Sequence, residues 1–246
     1  MKFAQFAFRP GWWGFLLASA GCAAGVALGN WQCGRAEERR AVAAALDAAR
    51  RAPALELPGA AADPARFALR RVAVRGEFVT GYTVLLDYRV HRGRPGYHVV
   101  QPMRIAQSGL HVLVLRGWVA ADPRRERLPS LAAPSGEQRL EGIAFEQLPQ
   151  LLEPAKMPDG CRPGPVPCVW QNLKLAAFGS WSGLPLQPIL IEQHSALRDG
   201  LERDWERPEA GYRKNEMYAL QWYSLAGLSV ALFIVLSIRR EKPAAR

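Results

Sequence analysis

Cysteine, histidine, serine and arginine side chains are the groups in this chain whose spacing could do chemistry. Cys161 and Cys168 stand seven apart at the end of a stretch, Pro149 to Pro167, that holds six prolines. In an oxidising compartment such a pair forms a local disulfide. A copper site would want closer spacing with Met or His nearby, and Met157 is the only such neighbour. Neither Cys22 nor Cys33 sits in a C-x-x-C-H run, so covalent haem attachment has no motif. The four histidines, His91, His98, His111 and His194, read as solvated or core-edge side chains. Gly179-Ser180-Trp181-Ser182-Gly183 has the outline of a nucleophile elbow, but Trp181 occupies the serine position, so a turn is the better reading. A membrane-anchored hydrolase is therefore only a distant third reading. There is no glycine-rich phosphate loop, H-E-x-x-H or dinucleotide fingerprint. Arg35, Arg116 and Arg203 could be solvated or pair with acids, and a guanidinium also grips phospholipid or carboxylates bidentately.

The elements that must position these residues begin with two apolar ends. Pro10 to Gly34 is 25 residues without a charge, and Met217 to Ile238 is 22. At ~1.5 Å per residue, 22 helical residues reach about 33 Å, enough for a hydrocarbon core of roughly 30 Å. Trp12, Trp13 and Trp31 bracket the first stretch, and Tyr218, Trp222 and Tyr223 open the second, as an interfacial belt should. A cleavable signal would have a shorter apolar run, and a lipoprotein signal at Ser19-Ala20-Gly21-Cys22 has Ser where Leu is usual. A buried core helix fits the tryptophan flanks poorly. Cys22 then falls mid-membrane and Cys33 at the interface. Lys2 and Arg9 in one tail, with Arg239, Arg240, Lys242 and Arg246 against Glu241 in the other, place both termini in the cytoplasm. The tails carry half of the net charge of +10. Basic residues in the middle are interleaved with acids, which sets nucleic acid aside. The expected division is a cytoplasmic tail over 1–10, a span over 11–31, a periplasmic domain over 32–216, a second span over 217–238 and a cytoplasmic tail over 239–246, in a bacterial inner membrane.

The middle is long enough for one core: of 246 residues, 49% are hydrophobic and 22% charged. Residues 35–51 are Ala-rich, carry helical charge pairs and stop at Pro53, so a helix continues out of the membrane. Pro53 to Pro64 reads as a loop. Strands are expected at Phe67–Val79, Thr83–Val90, Tyr97–Ile105, Leu110–Val119, Gln138–Phe145 and Pro188–Gln193, with a turn over Arg92 to Gly96. The run Val112-Leu113-Val114-Leu115 does not alternate, which predicts burial on both faces. Leu173 to Phe178 is a candidate short helix ending near Gly179. The fold class is α+β: two transmembrane helices flanking a mainly antiparallel β extracytoplasmic domain, β over 66–193, as a sheet or partly closed barrel.

Six motifs in order resemble the Surfeit locus protein 1 family of cytochrome c oxidase assembly factors. Leu28-Gly29-Asn30-Trp31-Gln32-Cys33-Gly34-Arg35 resembles its L-G-x-W-Q-x-x-R. Gly96 to Pro102 is similar to G-Y-x-V-x-x-P, and Val112 to Val119 to V-L-V-N-R-G-W-V, with Leu115 in place of the usual Asn. Trp170-Gln171-Asn172 and Gly183-Leu184-Pro185-Leu186-Gln187-Pro188 resemble W-x-N and G-L-P-x-x-P. Gly200, Leu201, Arg203 and Trp205 fit the stretch before the second helix, which opens with Tyr218-Ala219-Leu220-Gln221-Trp222-Tyr223 for Y-A-x-Q-W-F. The resemblance implies a non-enzymatic factor that assists haem a insertion or maturation of the oxidase catalytic subunit at the outer membrane face. Implied partners are that subunit, haem a biosynthesis and assembly proteins, and membrane lipid. The alternative is a membrane-tethered haem-binding or carrier module without a dedicated oxidase. The resemblance marks Trp31, Gln32, Arg35, Gly117, Trp118, Asn172, Gly183, Pro185, Arg203 and Gln221 as motif residues, and Tyr218, Trp222, Met217 and Arg116 as candidate haem a contacts. The family's usual His before the second helix is absent: Arg213-Lys214-Asn215-Glu216-Met217 stands there, with Asn215 nearest. A methionine can ligate haem iron, although Met217 also suits packing.

Overall fold

The computed structural model describes residues 6–132, 134–148, 160–205 and 209–240. In chain order the elements are β1 (Phe6–Phe8), α1 (Trp12–Arg51), β2 (Leu55–Glu56), α2 (Pro64–Phe67), β3 (Arg71–Phe78), β4 (Val84–His91) and β5 (Arg94–Ile105). They continue as β6 (His111–Ala120), β7 (Gln138–Phe145), β8 (Cys168–Trp170), α3 (Leu175–Ser182), β9 (Leu186–Gln193), α4 (Glu209–Ser237) and β10 (Ile238–Arg240). The chain divides into a helical unit, Met1–Ala44 with Arg207–Arg246, and a sheet unit, Ala45–Glu206.

In the helical unit α1 and α4 run antiparallel. Glycines of α1 give α4 close access: a Cβ on Gly25 would stand 2.8 Å from the Trp222 carbonyl and from the Ala226 Cβ, so only a residue without a side chain fits there. The outward faces are apolar as well. Trp12, Trp13, Leu17 and Leu236 are all more than two-thirds exposed. Both helices are long and apolar enough to cross a membrane. The second begins at Glu209, well before the uncharged stretch at Met217, because polar side chains of its first turns bond α1.

In the sheet unit five strands close on themselves in the order β3–β7–β9–β6–β5 and back to β3, with β4 and β8 extending from β5 and β2 added to β3. Closure requires β3 and β5 to cross tightly at Gly76, where a Cβ would stand 2.1 Å from the Arg104 carbonyl oxygen. β6 lies at the centre, antiparallel to β5 and parallel to β9. Its Val112 and Val114 enter one core with Val74, Met103, Leu140 and Ile191. Leu113 and Leu115 enter another, with Leu86, Trp170, Phe178 and Trp205. Two cores on opposite faces explain why the run from Val112 to Leu115 is apolar throughout.

Three local expectations change. Phe67 opens no strand: Asp63 accepts from the Ala65 amide at 3.1 Å and Pro64 starts the helical turn α2, so capping overrides the alternation and β3 begins at Arg71. The turn expected over Arg92 to Gly96 shrinks to Arg92 and Gly93, both with positive φ, and His91 pairs directly with Arg94. The expected loops at 53–64 and after 149 contain or border short edge strands, β2 and β8. Residues 149–159 of the proline-rich stretch, Met157 among them, lie outside the described residues.

Candidate functional site

A β-bulge sets the centre of the sheet unit's site. Val99 pairs with Gly117 but Val100 with Leu115, so Arg116 is the extra residue on β6. The bulge carries its guanidinium over the Phe78 ring, 4.7 Å from the centroid, with 1% of the side chain exposed. Arg116 Nη1 donates to Gln101 Oε1 at 2.8 Å, and Nη2 to Asp199 Oδ2 at 2.6 Å and to the Ala132 carbonyl at 2.9 Å. Arg203 donates to the same Asp199 oxygen, and to the Leu197 and Leu201 carbonyls. Burial alone would raise the Asp199 carboxyl; the hydrogen bonds and charges of Arg203 and Arg116 outweigh it and hold the group below its ordinary range. Burial pulls the Arg116 guanidinium down, with Asp199 opposing. Two cations share one buried anion, which fastens the segment after β9 across the barrel.

The next residues continue that seam. Trp118 exchanges backbone hydrogen bonds with Glu202, at 2.7 and 2.9 Å. The approach is so close that a Cβ on Gly117 would sit 2.8 Å from the Glu202 carbonyl oxygen and 2.7 Å from the Leu201 Cβ. The Trp118 indole donates to the Arg89 carbonyl at 2.9 Å, and Trp205 donates to the Gln193 carbonyl at 2.8 Å. Both indoles line a cleft of about 290 Å³, with Arg89, His91, His98 and Glu202. His98 stands edge-on to Trp205 at 5.3 Å, and burial, then the charges of Arg89 and His91, lower its pKa to about 4. It is therefore a neutral imidazole at ordinary pH. His91 Nε2 lies 3.1 Å from Glu202 Oε2. The cleft can seat a small group against aromatic side chains with a neutral nitrogen in reach. Its histidines read as core-edge residues in the sequence; that Trp118 and Trp205 line one cleft depends on the seam between β6 and the segment at Glu202, which has no local signal.

The structure thus brings Arg116, Gly117, Trp118 and Arg203 together. Asn172 is buried beyond β8, Gly183 caps α3 with φ +69°, and the Pro185 carbonyl accepts from the His111 amide at 2.8 Å. These three positions are apart from the cluster and serve turns and packing. Cys161 and Cys168 are joined, Cα atoms 5.9 Å apart. The Ser180 hydroxyl donates to the Ala176 carbonyl, and the Ser182 hydroxyl accepts from the Leu184 amide. Among the described residues no group of three or more His, Cys, Asp or Glu could hold a metal ion.

In the helical unit the Asn215 amide donates to Gln32 Oε1 at 2.6 Å and accepts from Arg39 at 3.0 Å, Arg40 pairs with Glu216, and Tyr223 donates to Asn30 at 2.7 Å. Arg35 pairs with Glu38 on the surface, and Trp31 is 62% exposed. On α4 the inner face carries Asn215, Ala219 and Ala226, with Trp222 half-buried, whereas Met217, Tyr218 and Gln221 are exposed.

A SURF1 family model matches residues 20–227. A SURF1-like protein of Monosiga brevicollis is 26% identical over 221 residues, a span that covers 85% of this chain and 82% of that protein. Two apolar helices, a barrel that lies between them in the sequence and the match across all three lead to one conclusion: the chain belongs to the SURF1 family, known as a family of cytochrome c oxidase assembly factors.

Proposed function

We propose that this protein assists maturation of the catalytic subunit of a haem-copper cytochrome c oxidase, at the outer face of a bacterial inner membrane. The observation that carries the reading is a single family match running through the barrel and most of both apolar helices. In this reading α1 and α4 anchor the barrel outside the cytoplasm and both termini remain inside, as the basic tails favour. The exposed Met217, Tyr218 and Gln221 on α4 form the face offered to the oxidase subunit within the membrane boundary.

The residues present fit a resident, iron-ligated haem a poorly. Asn215, at the place of the usual family His, already spends its amide on Gln32 and Arg39. Arg116 is buried and bonded to Asp199, so it is not offered to a haem carboxylate. Met217 is 68% exposed on an outward face. The protein's contribution is therefore assigned to contacts with the maturing subunit rather than to storage of the cofactor. Deleting the chain is expected to lower the haem a absorbance of the membranes while b-type haem persists, measured in reduced-minus-oxidised spectra. Unchanged haem a would sink the proposal.

A further inference from the structure

The cleft lined by Trp118 and Trp205 lies wholly within the sheet unit and has no part in the contacts assigned to α4. A glycine builds its wall. A Cβ on Gly96 would stand 2.5 Å from the Cε2 and Cζ2 atoms of the Trp118 ring, so only a residue without a side chain lets that indole lie on β5 and reach the Arg89 carbonyl. Trp205 is fixed in turn by its bond to the Gln193 carbonyl. Charge around the cleft is matched. Glu202 pairs with Arg94, Asp204 with Arg92, and Arg89 donates to the Gln171 carbonyl at 3.1 Å. A cationic ligand would meet Arg89, and an anionic one the two carboxylates, so neither charge gains by entering. The imidazoles are not matched. No hydrogen bond or ion pair among the described residues takes up the His98 ring nitrogens, and burial keeps that ring neutral. His91 Nε2 is buried without a hydrogen bond, although Glu202 Oε2 stands 3.1 Å away. A polar group held out of water without a partner forfeits a hydrogen bond that a ligand can restore.

We propose that this cleft binds an uncharged aromatic ring carrying a hydroxyl group, a phenol, with the ring against the Trp118 and Trp205 side chains and the hydroxyl on His98. A hydroxyl both donates and accepts, so it serves the bare nitrogen or the N–H of His98 in either tautomer. A hydrocarbon ring would fill the cleft and leave the imidazole unpaired. A free phenol and a tyrosine side chain of a polypeptide present the same chemistry.

Titration of the full chain in micelles tests the site, read at the indole N–H resonances of Trp118 and Trp205. The probes are p-cresol, toluene, 4-methylbenzoate and 4-methylbenzylammonium, one ring with four substituents. p-Cresol is expected to shift both resonances to saturation with a Kd about tenfold below that of toluene, the scale of one hydrogen bond to a group otherwise unpaired. Both charged rings should bind more weakly than p-cresol. His98→Phe keeps a ring beside Trp205 and removes both nitrogens, so it should bind toluene as before and p-cresol no more tightly than toluene. Val90→Trp, at an exposed position of the lining, should weaken both rings alike. N-acetyltyrosinamide separates the sources: saturation at the p-cresol concentration assigns the site to a tyrosine of a docked polypeptide, and exclusion of the amide assigns it to a free phenol. Resonances that p-cresol leaves unmoved, equal affinity for p-cresol and toluene in the native chain, a charged ring bound more tightly than p-cresol, or a p-cresol preference that survives His98→Phe overturns the site.

Discussion

Arg116 and Asp199 meet with 1% and 2% of their side chains exposed, so neither charge has water to fall back on. Removing Asp199 strands the Arg116 and Arg203 guanidinium groups together, a loss of about 3–5 kcal/mol, whereas removing Arg116 leaves Asp199 paired with Arg203. Asp199→Ala is accordingly expected to destabilise the full chain in micelles by about that amount, and Arg116→Met by less, read from denaturant midpoints. Equal midpoints for native and Asp199→Ala would mean that solvent reaches the pair. His98 gives the residue scale a pH signature. Its pKa is lowered from 6.5 to about 4 in the folded protein, so between those values the unfolded chain binds a proton that the folded chain refuses. Stability is complete above pH 6.5 and falls as the pH drops toward 4, by at most on the order of 3 kcal/mol. His98→Gln should flatten that part of the stability profile; an unaltered slope would assign the effect to other groups.

At the scale of elements, the barrel depends on where strands touch rather than on any one strand. β3 is held to β5 by pairs from Gly76 to Phe78, and the Ala106 amide bonds the Arg75 carbonyl at 2.8 Å. Gly76→Val would put atoms into the Arg104 carbonyl, so the seam must part. The expected cost is about 1–3 kcal/mol, with faster hydrogen exchange at Val79 and Ala106 and little change at β7 and β9. Uniform acceleration would show instead that the barrel opens as one unit. β4, β5, β7 and β9 were readable from β-branched or alternating apolar runs because each has a face in a core, and β6 from an unbroken apolar run because both of its faces are buried. β2 and β8, two and three residues long at sheet edges, carry too few side chains for a period to register. α3 begins at Leu175 and runs to Ser182, past the Gly179 that suggested its end, because the left-handed cap is at Gly183.

For the whole molecule, the arrangement to be tested is which side of the membrane holds the barrel. Alkaline phosphatase fused at the exposed Ser130 should be active, since that enzyme needs an oxidising compartment to fold. A fusion after Arg239 should be inactive. The reverse pattern would invert the topology and leave the Cys161–Cys168 bond in a reducing cytosol.

The apolar ends, the strand-rich middle and the family motifs were legible because each is a local property: a run without charge, a period of two, a short ordered string of residue types. The partnerships were not. Arg116 and Asp199 are 83 residues apart, and Gln32 and Asn215 are 183 apart. A sequence shows that an arginine or an asparagine taken out of water needs a partner, but which group reaches it is decided by chain topology. So Arg116, readable as a candidate ligand-gripping residue, became an internal clamp once a one-residue bulge turned it onto Phe78 and the segment after β9 delivered Asp199.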